Sequence, residues 1–172
     1  EVVQGEHDAL LTRKAWGDER DEGAFETYLR HHGMPSDEAD QSTADEHGTP
    51  VHPATPTRLV GEGDTVEIAG EPFLVLVLPG HADGHITLVG EHTGRVFGGD
   101  VLLHDITPNV GRWEDTLPDP LGRYLQTLAR IEELRPAVVY PGHKRVIDDA
   151  PARAAEIQVH HGGRLDAHLE AL

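Results

Sequence analysis

Three short segments of this chain each carry an apolar run into a glycine turn that ends on a side chain able to bind a metal or accept a proton. They read Leu78-Pro79-Gly80-His81, Phe97-Gly98-Gly99-Asp100 and Tyr140-Pro141-Gly142-His143. Glycine lets the backbone turn sharply. A strand behind each turn is a rigid support from which imidazole nitrogen and carboxylate oxygen can be aimed at one point. One Pro-Gly-His tripeptide is more often an ordinary turn, and with 13 histidines present, one or two in loops would mean nothing. The informative feature is the repetition, two strand-Pro-Gly-His units bracketing a strand-Gly-Asp unit. Cysteine is absent, which excludes disulfides and thiolate catalysis and leaves His, Asp and Glu as the strong metal ligands. Any metal site is therefore of the nitrogen and oxygen type.

The elements that must position these groups follow from hydrophobic spacing. Val2-Val3-Gln4 reads as the end of a short strand and His7 to Trp16, with Leu10 and Leu11, as a helix. Phe25, Tyr28 and Leu29 recur at helical spacing before the stop signals Gly33 and Pro35. The acidic stretch from Ser36 to His47 reads either as a surface helix capped by Ser36 or as an exposed segment, and Pro50, Pro53 and Pro56 make 48–57 a loop. From Arg58 the pattern becomes that of strands. Thr65 to Ile68 lies between turns, and Phe73 to Leu78 is a continuous apolar run suited to a strand buried on both faces. Ile86 to Val89 and Arg95 to Phe97 follow, joined by a hairpin at Glu91-His92-Thr93-Gly94. Leu121, Tyr124, Leu125, Leu128, Ile131 and Leu134 trace one face of an amphipathic helix. Ala137 to Tyr140 is a last short strand. Ala150 to Leu172 closes the chain as a helix, with Ile157, Leu165 and Leu169 towards the core and a kink or break at Gly162-Gly163.

The 172 residues, 37% of them apolar, fit one domain able to bury a core. No apolar run approaches the roughly 20 residues of a membrane helix, and Glu1-Val2-Val3-Gln4 is not the start of a signal peptide. A cytoplasmic protein without membrane contact is expected. The 31 acidic residues outnumber the 14 basic ones, giving a formal charge of −17. Such a surface repels polyanions and disfavours broad nucleic-acid binding.

The three units and their order resemble those of the metallo-β-lactamase superfamily, and the resemblance runs from about Val2 to Leu172. In that family a strand ends in Pro-Gly-His with a second His four residues on, here His85. A Gly-Asp then follows, and after it a second Pro-Gly-His. The nearest likeness is to the branch of β-lactamase-like thioesterases and endoribonucleases. The resemblance implies an α/β fold, the αββα sandwich, represented mainly by its C-terminal half. It implies a 1–57 helical segment and a 58–172 β-sheet half with flanking helices. It also implies that the family's first motif, His-x-His-x-Asp-His, lies ahead of Glu1. Carried over by position, His81, Asp100 and His143 are metal ligands, with Asp100 bridging two metals. His85 orients a ligand through a hydrogen bond, so that Asp100 and His85 are the catalytic pair. The implied cofactor is zinc, two ions in the intact enzyme, with iron or manganese as alternatives. The implied reaction is attack of a metal-activated water on an acyl ester or thioester, with phosphodiester or RNA cleavage and a catalytically silent fragment as alternatives. The expected partners are a small acyl substrate and either a second copy of the chain or the missing N-terminal half.

Other residues carry weaker signals. His104, just beyond Asp100, is read as a substrate contact or as part of a turn. Trp113 sits either on a pocket rim or over the sheet edge, with the second reading preferred. Lys144, following the last ligand, is placed to touch an anionic part of the substrate. Asp83 is expected to face solvent, and His31-His32 and His160-His161 are expected on helix surfaces.

Overall fold

The computed structural model describes all residues except Asp18, Glu22, 48–51, Glu114 and Leu172, and describes no side chains for 43–47. The expected loop at 48–57 is thus seen only from His52 onwards, where it carries no regular structure; 48–51 lie outside the described residues.

The chain opens with β1 (Val3–Gly5), α1 (Glu6–Trp16), α2 (Ala24–His31) and α3 (Ser36–His47). Next come β2 (Arg58–Val60), β3 (Thr65–Ile68), β4 (Glu71–Val77), β5 (Ile86–Gly90) and β6 (Arg95–Gly99). It ends with α4 (Pro120–Leu134), β7 (Val138–Pro141) and α5 (Ala150–Glu170). The main sheet has the order β3-β4-β5-β6-β7. Its consecutive strands pair antiparallel through short turns, whereas β7 joins β6 in parallel because α4 carries the chain back to the starting edge. A second, two-stranded sheet pairs β1 with β2 in parallel, so residues on either side of position 57 share one element.

Alternation along β4 sends side chains to two cores, as the continuous apolar run requires. Leu74, Leu76 and Leu78 pack with Tyr124, Leu128 and Ile131 of α4 and Ile157 of α5. Val75, on the opposite face, packs with Val60 and Val66, flanked by Val3, Ile86 and Leu88. The small sheet therefore covers one end of that second face. The other end stays open, where Phe97 and Tyr140 keep 42% and 37% of their surface and form a ladder with Phe73 at centroid spacings of 5.4 and 5.5 Å.

Helix α4 begins where Asp119 accepts a hydrogen bond from the Gly122 N–H (3.0 Å) and Pro120 occupies the first turn. It stops at Arg135 in the left-handed region, just before Pro136. Asp149 caps α5 in the same way through the Ala152 N–H (3.0 Å). The acidic 36–47 stretch is helical, with Ala39 fully buried and Asp40 paired to Arg30 of α2 at 2.7 Å.

Three expectations are corrected in α5. The helix continues through Gly162-Gly163 without a break, because two glycines weaken a hydrogen-bond ladder without interrupting it. Leu165 and Leu169 are 44% and 70% exposed, and neither joins a core cluster of the described residues. His161 is not a bare surface residue; its ring lies edge-on to Tyr124 at 5.8 Å.

A methyl group added at Gly162 or Gly163 meets nothing within 4 Å. Gly163→Ala should therefore raise helicity and stability by about 0.5–1 kcal/mol, read by circular dichroism during thermal unfolding. No change in either signal would mean that the distal half of α5 is not helical in solution.

Candidate metal centre and adjoining cleft

The loops after β4, β6 and β7 leave the same edge of the sheet, and His81, Asp100 and His143 meet there. His143 Nε2 lies 3.4 Å and His81 Nε2 4.0 Å from Asp100 Oδ2. Two donors on one tetrahedral zinc, each about 2.0–2.1 Å from it, stand roughly 3.3 Å apart. The His143 spacing is close to that value, and the His81 spacing exceeds it. Among the described residues no group of three His, Asp or Glu side chains is already drawn tightly enough to hold a metal. The donors are gathered but not closed into a cage.

Local contacts fix what each donor presents. His81 Nδ1 is 3.0 Å from the Asn109 carbonyl oxygen, which can only accept, so Nδ1 carries the proton and Nε2 offers its lone pair towards Asp100. His85 Nε2 accepts a hydrogen bond from the Asp100 backbone N–H at 3.2 Å. Burial pushes the His85 pKa below its ordinary value, outweighing the opposite pull of Asp100 and Asp8, and so favours the neutral ring that this bond requires. The expected supporting role of His85 thus acts on the main chain of Asp100 and not on a ligand's side chain. Asp100 Oδ1 is buried and has no hydrogen-bond partner among the described residues. A carboxylate oxygen in that state is costly unless a cation or donor completes it, which fits a metal held here.

Two glycines make this geometry attainable. Gly99 has φ +51°, and a Cβ there would sit 2.7 Å from His85 Nε2; a Cβ on Gly142 would sit 2.5 Å from Asp100 Oδ1. The loops are further pinned from beneath. Thr127 of α4 donates to the Pro79 carbonyl at 2.7 Å and Tyr124 to the Val101 carbonyl at 3.1 Å. Arg153 of α5 donates to the carbonyls of Leu103 (2.8 Å) and Ile106 (3.0 Å). These anchors were not singled out in the sequence, although Thr127 left a trace as a hydroxyl on the apolar stripe of α4.

A cleft of about 550 Å³ adjoins His81. Leu11 and Trp16 of α1, Phe25 of α2, and Gly111 and Trp113 of the β6–α4 connection form much of its wall. Trp113 belongs to this rim and not to the sheet edge: it is 54% exposed and its ring lies 6.4 Å from that of Phe25. Tyr28 donates to the Arg112 carbonyl at 2.6 Å and so ties α2 to the same connection. Asp83 also corrects its expectation, since it accepts a hydrogen bond from the Leu117 N–H at 2.8 Å instead of facing solvent. His104 and Lys144 lie outside the cleft wall. His104 Nδ1 contacts Asp105 Oδ1 at 2.6 Å, and Arg145 binds the same carboxylate at 2.9 Å. Hydrogen bonds from Arg145 and His104 hold the Asp105 carboxyl at about 2. Lys144 is exposed with φ +69°.

Residues 5–143 match the family model of the metallo-beta-lactamase superfamily, and the chain belongs to that superfamily. Over 100 residues it is 36% identical to the probable metallo-hydrolase YqjP of Bacillus subtilis (strain 168), covering 56% of this chain and 31% of that protein. Over 79 residues it is 39% identical to a hydroxyacylglutathione hydrolase of Vibrio campbellii (strain ATCC BAA-1116), covering 46% and 29%. The chain spans about a third of the length of these curated relatives. A solved metallo-beta-lactamase family protein from Thermus thermophilus superposes with a TM-score of 0.84 at 33% identity, covering 100% of this chain and 56% of that one. No helix among the described residues is long and apolar enough to cross a membrane.

Gly99→Ala should destabilise the protein by about 1–3 kcal/mol, through its left-handed backbone and the contact with His85. His85→Ala in the Gly99→Ala background should return part of that loss in a double-mutant cycle by denaturant unfolding. Strict additivity would show that the two residues do not press on one another.

Proposed function

We propose that this chain carries part of the centre of a metal-dependent hydrolase acting on an acyl ester or thioester. The observation that carries the proposal is the approach of two imidazole nitrogens to Asp100 Oδ2 while Oδ1 is buried without a partner among the described residues. His81, Asp100 and His143 are the ligands in this reading, and zinc is the metal that their chemistry favours. The metal, when bound, supplies an activated water and a positive charge that stabilises the developing oxyanion. His81 offers Nε2 because Asn109 engages its other nitrogen. His85 holds the Asp100 main chain in place, and the two glycine turns allow the carboxylate to stand between the imidazoles. Water adds to the acyl carbon, the carbon–sulfur or carbon–oxygen bond breaks, and a carboxylic acid and a thiol or alcohol leave.

Three ligands serve one zinc, and a second ion needs donors from elsewhere. An acyl substrate is preferred over RNA because the protein carries a formal charge of −17 and the cleft wall is largely apolar. The likeness to a hydroxyacylglutathione hydrolase supports the same choice.

The test is zinc-dependent hydrolysis of simple thioesters, by this chain and by any longer natural polypeptide containing it. Asp100→Asn should keep the fold yet lose more activity than the roughly 10–100-fold that removal of a supporting hydrogen bond costs, and a chelator should abolish turnover reversibly. Phosphodiester cleavage without thioester cleavage would move the reading to a nuclease. No metal uptake and no turnover in either polypeptide would make the chain catalytically silent.

A further inference from the structure

The cleft beside His81 has an unusual wall for a protein this acidic. Leu11, Trp16, Phe25 and Trp113 supply its aromatic and aliphatic wall, the cations Lys14 and Arg20 stand beside them, and Trp16 and Trp113 keep 42% and 54% of their surface. Among the described residues, the carboxylates that line it are engaged with the protein itself. Asp8 accepts from Gln4 (2.9 Å), Asp21 from the Gly23 N–H (3.0 Å) and Asp83 from the Leu117 N–H (2.8 Å), while Asp115 pairs with Lys14 (2.7 Å). What remains is a slot whose wall is apolar along Leu11, Trp16, Phe25 and Trp113, with Arg20 as a cation on its lining, and which ends at a candidate ligand of the metal centre. Apolar clefts of a few hundred Å³ with a polar group at one end suit small organic ligands, and exposed tryptophan beside phenylalanine gains most by covering an apolar chain or ring.

We propose that this cleft binds an apolar acyl group, a straight aliphatic chain or an aromatic acid residue, with its carbonyl end at His81. Trp16, Phe25 and Trp113 are then the residues that set specificity. The assignment of the occupant as an acyl group rests on the hydrolase reading, but binding can be measured without turnover.

The two tryptophans are the only ones in the chain, and both line the cleft, so selectively excited tryptophan emission reports on it. The probes are straight-chain methyl ketones of increasing length, which carry a carbonyl and a chain but no leaving group, with acetone as the short control. Emission should shift to shorter wavelength in a saturable way, and affinity should rise about fourfold per added methylene until the cleft is full. Trp113→Phe should leave a response from Trp16. Phe25→Ala should weaken long-chain binding about tenfold while barely changing the weak response to short ketones. Absence of any saturable response in folded protein, or a response that ignores both chain length and Phe25→Ala, would overturn the proposal. Chain-length-dependent ketone binding together with no zinc-dependent thioester hydrolysis would support the cleft and sink the hydrolase reading. Thioester hydrolysis without chain-length preference would do the reverse.

Discussion

A carboxylate oxygen shut away from water with nothing to bond to is one of the more expensive arrangements in a folded protein, on the order of 1–3 kcal/mol or more when the group is charged. Among the described residues Asp100 Oδ1 is in that position, and its other oxygen faces two imidazole nitrogens. The surrounding structure enforces the arrangement. Gly142 leaves room for the oxygen, Gly99 turns the chain so that the Asp100 N–H meets His85, and burial favours the neutral form of His85 so that it can accept. In the proposed reading a cation completes this oxygen.

The rigidity behind this comes from β4 and the two helices that cover it. Because β4 is buried on both faces, neither its register nor its exit direction can slip without moving one of two cores. Thr127 and Tyr124 of α4 then connect the loop after β4 to the loop after β6, and Arg153 of α5 holds the chain beyond Asp100. Core and site are therefore one construction: the apolar stripe of α4 that packs the sheet also carries the hydroxyls that set the loops. The cleft is built differently, from α1, α2 and a connection joined by Tyr28 and Arg112, so its wall can vary without disturbing the donors.

Much of this was legible in the residues. The strand-Gly-His and strand-Gly-Asp units showed which side chains converge, because a strand end followed by glycine constrains direction as well as position. The long apolar run of β4 and the stripe of α4 showed the core for the same reason of periodicity. What escaped depended on contacts between distant segments. Asn109 acts through its backbone carbonyl, which no side-chain pattern reveals, and Asp83 found the Leu117 N–H far along the chain. Trp113 was assigned to the sheet edge because nothing local indicates that Phe25 waits opposite it. Leu165 and Leu169 followed a helical stripe into solvent, since periodicity describes a face and not whether anything packs against it.

The most direct measurement is nitrogen-detected NMR of the histidine rings during a zinc titration of this chain at neutral pH. The account predicts that Nε2 of His81 and of His143 shift together as one zinc ion binds, that the His85 ring stays neutral throughout, and that Asp100→Asn removes both shifts. Zinc that moves other histidines, such as His31 and His32 or His160 and His161, while leaving His81 and His143 unchanged would contradict it.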